Sequence, residues 1–227
     1  MSVAESAAKV RERLCAAPGI VAVPADGIEI FALPEFLANI ECDGLIAMID
    51  AGRKPSRVLA DDPDPEFRTS ESCDLDPAHP LVRRVEARLD RLIGLDPACG
   101  ETIQGQRYAI GQQFKAHHDF FHAGEPYWET QQKAGGQRTW TAMIFLNAPE
   151  EGGETMFPRA KVKIRPRRGN LLAWNNLDPA GNPNMMSLHQ GLPVLAGLKY
   201  VITKWYRERP WTPHLIRGET SGTGGDS

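Results

Sequence analysis

The sequence predicts an α+β fold that is mainly β: a double-stranded β-helix, or jelly roll of the cupin type, with N-terminal helices packed on one sheet. Two observations favour this class. Before residue 100, two segments repeat apolar side chains at the spacing of an amphipathic helix. From Glu101 onward, short apolar runs alternate with Gly, Pro and Asn, a pattern typical of strands joined by turns. About eight strands in one connected region are enough for a jelly roll.

The first hundred residues are expected to form a helical, supporting segment of the same domain. One helix is predicted to begin at Pro34 and to end near Gly52. A second is predicted to begin at Asp76 and to end near Gly94. Both carry apolar residues three and four positions apart, so each should bury one face against the β region.

Residues 53–76, between these helices, are rich in Pro, Asp and Ser, which predicts a loop with one strand around residues 67–73. A loop of this length either covers a substrate or is a plain surface insertion. Residues 101–212 are predicted to be the β core, and residues 213–227 a flexible tail. The predicted strands lie near residues 102–110, 113–120, 138–147, 154–157, 161–166, 170–175, 184–189 and 198–207.

Length and composition limit the class of protein. With 227 residues, 41% of them hydrophobic and 24% charged, the chain is long enough for one well-packed domain. A formal net charge of -3 argues against a nucleic-acid binder that works by neutralising phosphates. The first seventeen residues are amphipathic and lack the apolar region of a secretory signal, and no window approaches the roughly 18 apolar residues of a membrane span. We therefore expect neither a nucleic-acid partner nor a membrane partner.

Cysteine usage indicates the cellular compartment. The four cysteines are widely spaced and form no CxxC pair: Cys15, Cys42, Cys73 and Cys99. This usage fits reduced, mostly buried thiols in a cytoplasmic protein, although an even count also permits two disulfides.

The stretch 107–121 carries the most informative residues of the chain, RYAIGQQFKAHHDFF. Its aromatic content favours a half-buried strand. Because alternate strand residues share a face, His117 and Asp119 should point into one cavity while His118 points away. Two such neighbours are a fragment of a metal site, and the alternative is a surface strand in which HxD occurs by chance.

A third imidazole lies downstream, at His189, ahead of a predicted strand that carries Lys199. Two histidines and one carboxylate on a β scaffold match the facial triad of non-haem Fe(II) oxygenases, which leaves three coordination positions open. The alternative is a chance HxD and an unrelated histidine.

Five segments in order resemble a known family, the 2-oxoglutarate- and Fe(II)-dependent dioxygenases, and within it the catalytic domain of prolyl 4-hydroxylases. The resemblance covers residues 31–211, and five matching segments are more specific than any single motif. The segments are 107–121 (RYAIGQQFKAHHDFF), 135–147 (GGQRTWTAMIFLN), 150–158 (EEGGETMFP), 167–174 (RRGNLLAW) and 188–205 (LHQGLPVLAGLKYVITKW).

The resemblance implies that His117, Asp119 and His189 are the catalytic residues that bind Fe(II), and that 2-oxoglutarate and O2 take the open positions. L-ascorbate is a further candidate cofactor. Related halogenases lack the carboxylate, so the presence of Asp119 favours hydroxylation. His118 and His122 are expected to lie behind the ligands or at the surface.

The resemblance also implies a cosubstrate site. Lys199 would pair with the far carboxylate of 2-oxoglutarate, whose burial without a charged partner costs several kcal/mol. Tyr108 and Thr155 would donate hydroxyl hydrogen bonds to the same region. The alternative without a functional role is that Lys199 is a surface lysine and that Tyr108 and Thr155 are ordinary hydroxyl residues at the edge of the core.

The substrate site is expected around Arg138, Trp205 and Glu101, which match family positions. Tyr127 and Trp128, in the insertion 123–134, should lie at the rim of the pocket or belong to a surface excursion. An apolar lining that keeps water away is expected from Phe114, Phe120, Ile144 and Trp174.

The implied reaction is hydroxylation of C4 of prolyl residues in a peptide or protein, with release of succinate and CO2. Hydroxylation of a free amino acid or another small metabolite is an alternative within the class. A jelly-roll module that binds a metal or a small ligand without catalysis is an alternative outside it.

Overall fold

The computed structural model describes residues 2–56 and 64–217 of the chain. Five α-helices and fourteen strands lie within these residues. In chain order they are α1 (Val3–Ala16), β1 (Val21–Ala22), β2 (Ile30–Leu33), α2 (Asn39–Gly52), β3 (Lys54–Pro55), β4 (Glu71–Asp74), α3 (Pro80–Ile93), β5 (Gln104–Tyr108), β6 (Phe114–His117), α4 (Trp128–Lys133), β7 (Arg138–Phe145), β8 (Glu151–Gly152), β9 (Thr155–Phe157), β10 (Val162–Ile164), β11 (Leu171–Asn175), β12 (His189–Gly191), β13 (Val194–Ala196), β14 (Lys199–Arg207) and α5 (Pro213–Arg217).

The strands form a major sheet, a minor sheet and a separate pair. The major sheet has eight antiparallel strands in the order β1-β2-β11-β7-β14-β5-β4-β3. The minor sheet has four, in the order β10-β9-β12-β6, and β8 pairs with β13. This architecture agrees with the predicted jelly roll and its helical layer.

Strand alternation divides the interior into two cores. In β7 and β14, whose register places Ile144 opposite Ile202, even-numbered side chains pack with residues of α1, α2 and α3. Odd-numbered ones, such as Met143 and Val201, pack with residues of the minor sheet. Ile144 therefore lies in the core under the helices, and the prediction that it lines the ligand cavity is wrong.

The helices begin later than predicted, for local reasons. Glu35 has a left-handed backbone (φ 52°), which helical residues do not adopt, so α2 begins at Asn39 instead of Pro34. The Asp76 side chain accepts a hydrogen bond from Ala78 N in a preceding turn. α3 therefore begins at Pro80, and it ends as predicted at Gly94, whose left-handed backbone (φ 79°) suits glycine.

Two predicted strands around the site are shorter than expected. β6 ends at His117, so Asp119 follows the strand. In the predicted strand 184–189, residues 185–187 form a 3-10 turn that the Asn184 side chain caps by accepting from Met186 N. Only His189 of that segment belongs to a strand, β12.

The two ends of the chain also differ from the sequence interpretation. Residues 1–100 contribute β1 to β4, half of the major sheet, in addition to helices. At the other end, residues 213–217 of the predicted flexible tail form α5, and residues 218–227 lie outside the described part. The helical description of the N-terminal segment is therefore incomplete.

The predicted loop 53–76 is described only in part, since residues 57–63 lie outside the described ranges. Its described portion contains β3 and β4, which agrees with a strand near residue 73. Among the residues that are described, no helix is both long and apolar enough to span a bilayer. All four cysteines are free thiols.

Candidate active site

The two sheets bring His117, Asp119 and His189 together. β6 pairs with β12 so that His117 and His189 are directly opposite. Their Nε2 atoms lie 3.9 and 3.7 Å from the two carboxylate oxygens of Asp119, and one ligand atom from each residue lies within 4.8 Å of the others. Asp119 and His189 are buried, each 6% exposed. Two imidazole nitrogens and one carboxylate oxygen form a donor set that suits Fe(II).

Hydrogen bonds fix the tautomer of both imidazoles. His117 Nδ1 lies 2.8 Å from Lys115 O, and His189 Nδ1 lies 2.9 Å from Ser187 O. Because a carbonyl oxygen only accepts, each Nδ1 must carry a proton, and Nε2 is the ring nitrogen that faces Asp119. Burial and the nearby His189 lower the pKa of His117 to about 3, so this ring is neutral near pH 7. The His117 ring is therefore in the form that binds a metal ion.

The Asp119 carboxylate is ionised although it is buried. Burial opposes its charge, but the neighbouring imidazoles, Arg138 and a hydrogen bond from Thr141 outweigh burial and hold its pKa below the usual value. Thr141 Oγ1 donates to Asp119 Oδ2 over 2.8 Å.

An inner cavity runs from the triad to Lys199, which is 3% exposed. Burial lowers the pKa of Lys199 to about 8. Its ammonium group lies 5.2 Å from the centre of the Tyr108 ring and makes no hydrogen bond or ion pair with any residue that the structure describes. A buried cation without an acceptor is costly, so this end of the cavity suits an anion such as the carboxylate of 2-oxoglutarate.

Tyr108 and Thr155 both line this inner cavity, so their predicted hydrogen bonds to a cosubstrate carboxylate stay a prediction. The Tyr108 hydroxyl donates to Gln106 Oε1 over 2.8 Å, and Thr155 is 3% exposed. Gly153 brings the chain close to Lys199, because a Cβ atom there would lie 3.2 Å from Lys199 Cδ.

An outer cavity of about 590 Å³ opens beside the triad. On its wall, Arg138 donates from Nε and Nη2 to the two carboxylate oxygens of Glu101, both over 2.7 Å. The Arg138 guanidinium also lies 4.0 Å from the centre of the Trp205 ring. Arg207 completes the group by donating to Glu101 Oε1 (2.5 Å) and to Gln131 Oε1 (2.8 Å). These contacts hold the predicted substrate residues in one rigid wall.

The two aromatic residues of the insertion differ in their position relative to the outer cavity. Tyr127 lines the cavity, whereas Trp128 does not, so a substrate contact by either residue stays a prediction. His118 and His122, expected behind the ligands or at the surface, both line the outer cavity. Phe120 lines it as well.

Phe114 and Trp174 line the inner cavity, in agreement with the predicted apolar lining. The Phe114 ring stacks on His117 at 3.5 Å, and the Trp174 ring meets His189 edge-on at 4.8 Å.

Arg68 is a cavity residue that the sequence interpretation missed. It lies in the segment 53–76, and its guanidinium is 4.7 Å from the centre of the Phe114 ring. Main-chain hydrogen bonds hold it there: Phe67 O accepts from Lys115 N of β6, and Thr69 N donates to Gln113 O just before β6. No local motif marks it, and only the expectation that this loop could cover the site pointed to the segment.

Comparisons with known proteins agree with the geometry. Residues 103–207 match the model of a family described as the 2OG-Fe(II) oxygenase superfamily. The probable prolyl 4-hydroxylase 8 of Arabidopsis thaliana is 30% identical over 200 residues, which cover 78% of this chain and 67% of the relative. The chain thus spans about two thirds of the length of such plant relatives.

Solved structures give the same result. The viral collagen prolyl hydroxylase of Paramecium Bursaria Chlorella virus-1, in complex with 2OG, superposes with a TM-score of 0.64 at 29% identity, over 82% of this chain and 99% of the viral one. A prolyl-4-hydroxylase of Pseudomonas putida gives a TM-score of 0.57 at 20% identity, over 90% and 99% of the two chains, and supports the fold alone.

Proposed function

Because the chain belongs to the 2OG-Fe(II) oxygenase superfamily, in its prolyl 4-hydroxylase branch, we propose that it hydroxylates C4 of prolyl residues in a peptide or protein. The family implies Fe(II), 2-oxoglutarate and O2 as cofactor and cosubstrates. Succinate and CO2 are the proposed coproducts, and L-ascorbate is a proposed additional cofactor. The proposed catalytic core is 101–212, supported by residues 1–100.

The observation that carries the proposal is the convergence of His117, Asp119 and His189 beside a cavity that ends at a buried ammonium group. We assign the three residues as the Fe(II) ligands. The neutral His117 imidazole and the ionised Asp119 carboxylate are already in the protonation states that metal binding requires. When bound, iron and 2-oxoglutarate supply the oxidising chemistry by which O2 hydroxylates an unactivated C-H bond.

The protein residues bind and orient the reactants. Lys199 is proposed to pair with the far carboxylate of 2-oxoglutarate, and Thr155 and Tyr108 lie on the same cavity wall. Phe114 and Trp174 exclude water around the metal ligands.

For the substrate, the rigid group of Glu101, Arg138 and Trp205 is the proposed binding wall. Trp205 is proposed to contact a pyrrolidine ring with the aromatic surface that Arg138 leaves open, and Arg138 Nη1, which makes no hydrogen bond with the described residues, is proposed to donate to a peptide carbonyl group. Tyr127 is proposed to contact the substrate from the rim. The open, 590 Å³ outer cavity has room for a peptide segment beyond the reacting residue.

The test is incubation with a library of proline-rich peptides, Fe(II), ascorbate and 2-oxoglutarate. The proposal predicts peptides heavier by one oxygen atom and an equal amount of succinate, both absent for Asp119→Ala. Peptides unchanged while free amino acids or small metabolites gain oxygen would select the small-molecule alternative. No succinate with any substrate would select a non-catalytic binding module.

A further inference from the structure

A chain of buried hydrogen bonds runs behind Asp119. Thr141, on the cavity face of β7, is fully buried, and its hydroxyl donates to Asp119 Oδ2 over 2.8 Å. The same hydroxyl accepts from Asn176 Nδ2, also over 2.8 Å. An ionised carboxylate only accepts and an amide NH2 group only donates, so Asp119 fixes the direction of both hydrogen bonds.

The main chain of Asn176 leads to a second residue of the triad. Asn176 O accepts from Asn184 N over 2.9 Å, and Asn184 O accepts from Ser187 N over 2.9 Å and from Ser187 Oγ over 2.8 Å. Ser187 O is in turn the acceptor for His189 Nδ1, over 2.9 Å. Asn176 is therefore connected to Asp119 through its side chain and to His189 through its main chain.

This arrangement is poorly suited to stability alone. Asn176 is fully buried, and its Oδ1 atom has no hydrogen-bond partner among the described residues. A buried acceptor without a partner costs free energy that an apolar side chain of similar size would not. Thr141 Oγ1 lies next to Asn176 but is itself engaged as the donor to Asp119, so it cannot satisfy that acceptor.

We propose that Thr141 and Asn176 are positioning residues for the metal site, which fix the rotation of the Asp119 carboxylate about its side chain. Thr141 engages Oδ2, while Oδ1 receives no hydrogen bond from the described residues and is left to bind the ion. Asp119 then binds through one oxygen, and its second oxygen is held by the protein. The inference rests on the proposed role of His117, Asp119 and His189 as ligands.

The test measures affinity for Mn(II), which requires no turnover, by calorimetry on the metal-free protein. Thr141→Val keeps the shape of the side chain and removes the hydroxyl, and it should weaken Mn(II) binding about 10- to 100-fold. Thr141→Ser restores the hydroxyl and should bind within about threefold of the wild type. Asn176→Leu should weaken binding in the same direction, and the double variant should be less than additive because both changes act through Asp119.

Thr139→Val is the matched control. Thr139 is also buried on β7, and its hydroxyl donates to Tyr206 O over 3.2 Å instead of to a residue of the triad. Its carbonyl oxygen accepts from Asn176 N, a main-chain contact that the substitution keeps. It should lose stability but keep wild-type Mn(II) affinity.

Thr141→Val or Asn176→Leu with wild-type Mn(II) affinity would overturn the inference, and having two variants keeps it testable if one does not fold. Melting curves in a chelator identify the folded variants. His189→Ala separates the two levels of the proposal: if it too binds Mn(II) as the wild type does, the ligand assignment itself fails. If His189→Ala abolishes binding while Thr141→Val does not weaken it, only the positioning role fails.

Discussion

Lys199 is a single residue whose surroundings are costly unless an anion lies beside it. It is 3% exposed, and burial lowers its pKa to about 8 from the ordinary value of 10.5. Folding therefore places an ammonium group in a cavity without an acceptor among the described residues. Binding sites commonly gain affinity for their ligand at the cost of stability in the ligand-free protein.

Replacing Lys199 should separate these two effects. Lys199→Met removes the buried charge, so it should stabilise the ligand-free protein by about 1–3 kcal/mol near pH 7, measured by urea unfolding. The gain should shrink as pH rises from about 8 toward 10.5, because there the native lysine is already neutral while the unfolded one still holds its proton. The same variant should bind 2-oxoglutarate about 100-fold more weakly or worse, since a buried carboxylate loses its partner. Unchanged 2-oxoglutarate affinity would contradict the assignment.

The pH dependence of cosubstrate binding is a second consequence of Lys199. With Mn(II) bound and O2 excluded, the dissociation constant of 2-oxoglutarate should be nearly flat below the lysine pKa of about 8. Above it, the constant should rise about tenfold per pH unit, because the free protein must first take up a proton. Lys199→Arg, whose group stays charged, serves as the control and should give a flat profile over the same range. A wild-type profile as flat as that of Lys199→Arg would refute this account of the site.

At the scale of elements, β6 and β12 position the triad, and the short helix α4 contributes to the wall of the outer cavity. Gln131 of α4 accepts from Arg207, which also holds Glu101. Tyr127, just before α4, lines the cavity, while Trp128, its first residue, does not. The two neighbouring aromatic residues thus form a matched pair for mutagenesis.

Tyr127→Ala should change the preference among peptide substrates by about tenfold in kcat/KM, because it removes a contact at the cavity rim. Uncoupled turnover of 2-oxoglutarate should remain, since the triad and Lys199 are untouched. Trp128→Ala should keep the wild-type substrate profile within about twofold. Competition between pairs of peptides, followed by mass spectrometry, measures both. An unchanged substrate profile for Tyr127→Ala would remove Tyr127 from the proposed substrate site, and an equally large change for Trp128→Ala would show that lining the outer cavity does not distinguish the two residues.

Element boundaries show what sequence patterns can and cannot predict. The alternation of side chains in a strand was enough to predict that His117 and Asp119 share a cavity, although β6 ends between them. Helix starts were less predictable, because one left-handed residue, Glu35, delays α2 by five residues. Ile144 was misplaced for a related reason: a shift of one residue moves a side chain to the opposite face of a sheet.

At the scale of the whole molecule, pairing between strands far apart in the sequence determines contacts that local sequence patterns do not predict. The strands β1 to β4 from the first hundred residues join the major sheet through contacts that no local pattern encodes. A separate bridge to β6 of the minor sheet brings Arg68 over Phe114. The fold of the loop after β11 links Asn176 to His189. By contrast, the sequence was enough to predict the order of the β segments and the convergence of the triad residues. It also predicted the burial of Lys199, because binding a metal ion or a buried carboxylate requires particular residue types.

The central claim is that one cavity between the two sheets binds a metal ion through His117, Asp119 and His189 and 2-oxoglutarate through Lys199. The most direct measurement is a crystal structure of the protein with Mn(II) and 2-oxoglutarate, grown without O2. The account predicts the ion on these three side chains, and the far carboxylate of 2-oxoglutarate within hydrogen-bonding distance of Lys199 Nζ. An ion bound elsewhere, or a 2-oxoglutarate carboxylate held by groups other than Lys199, would contradict it.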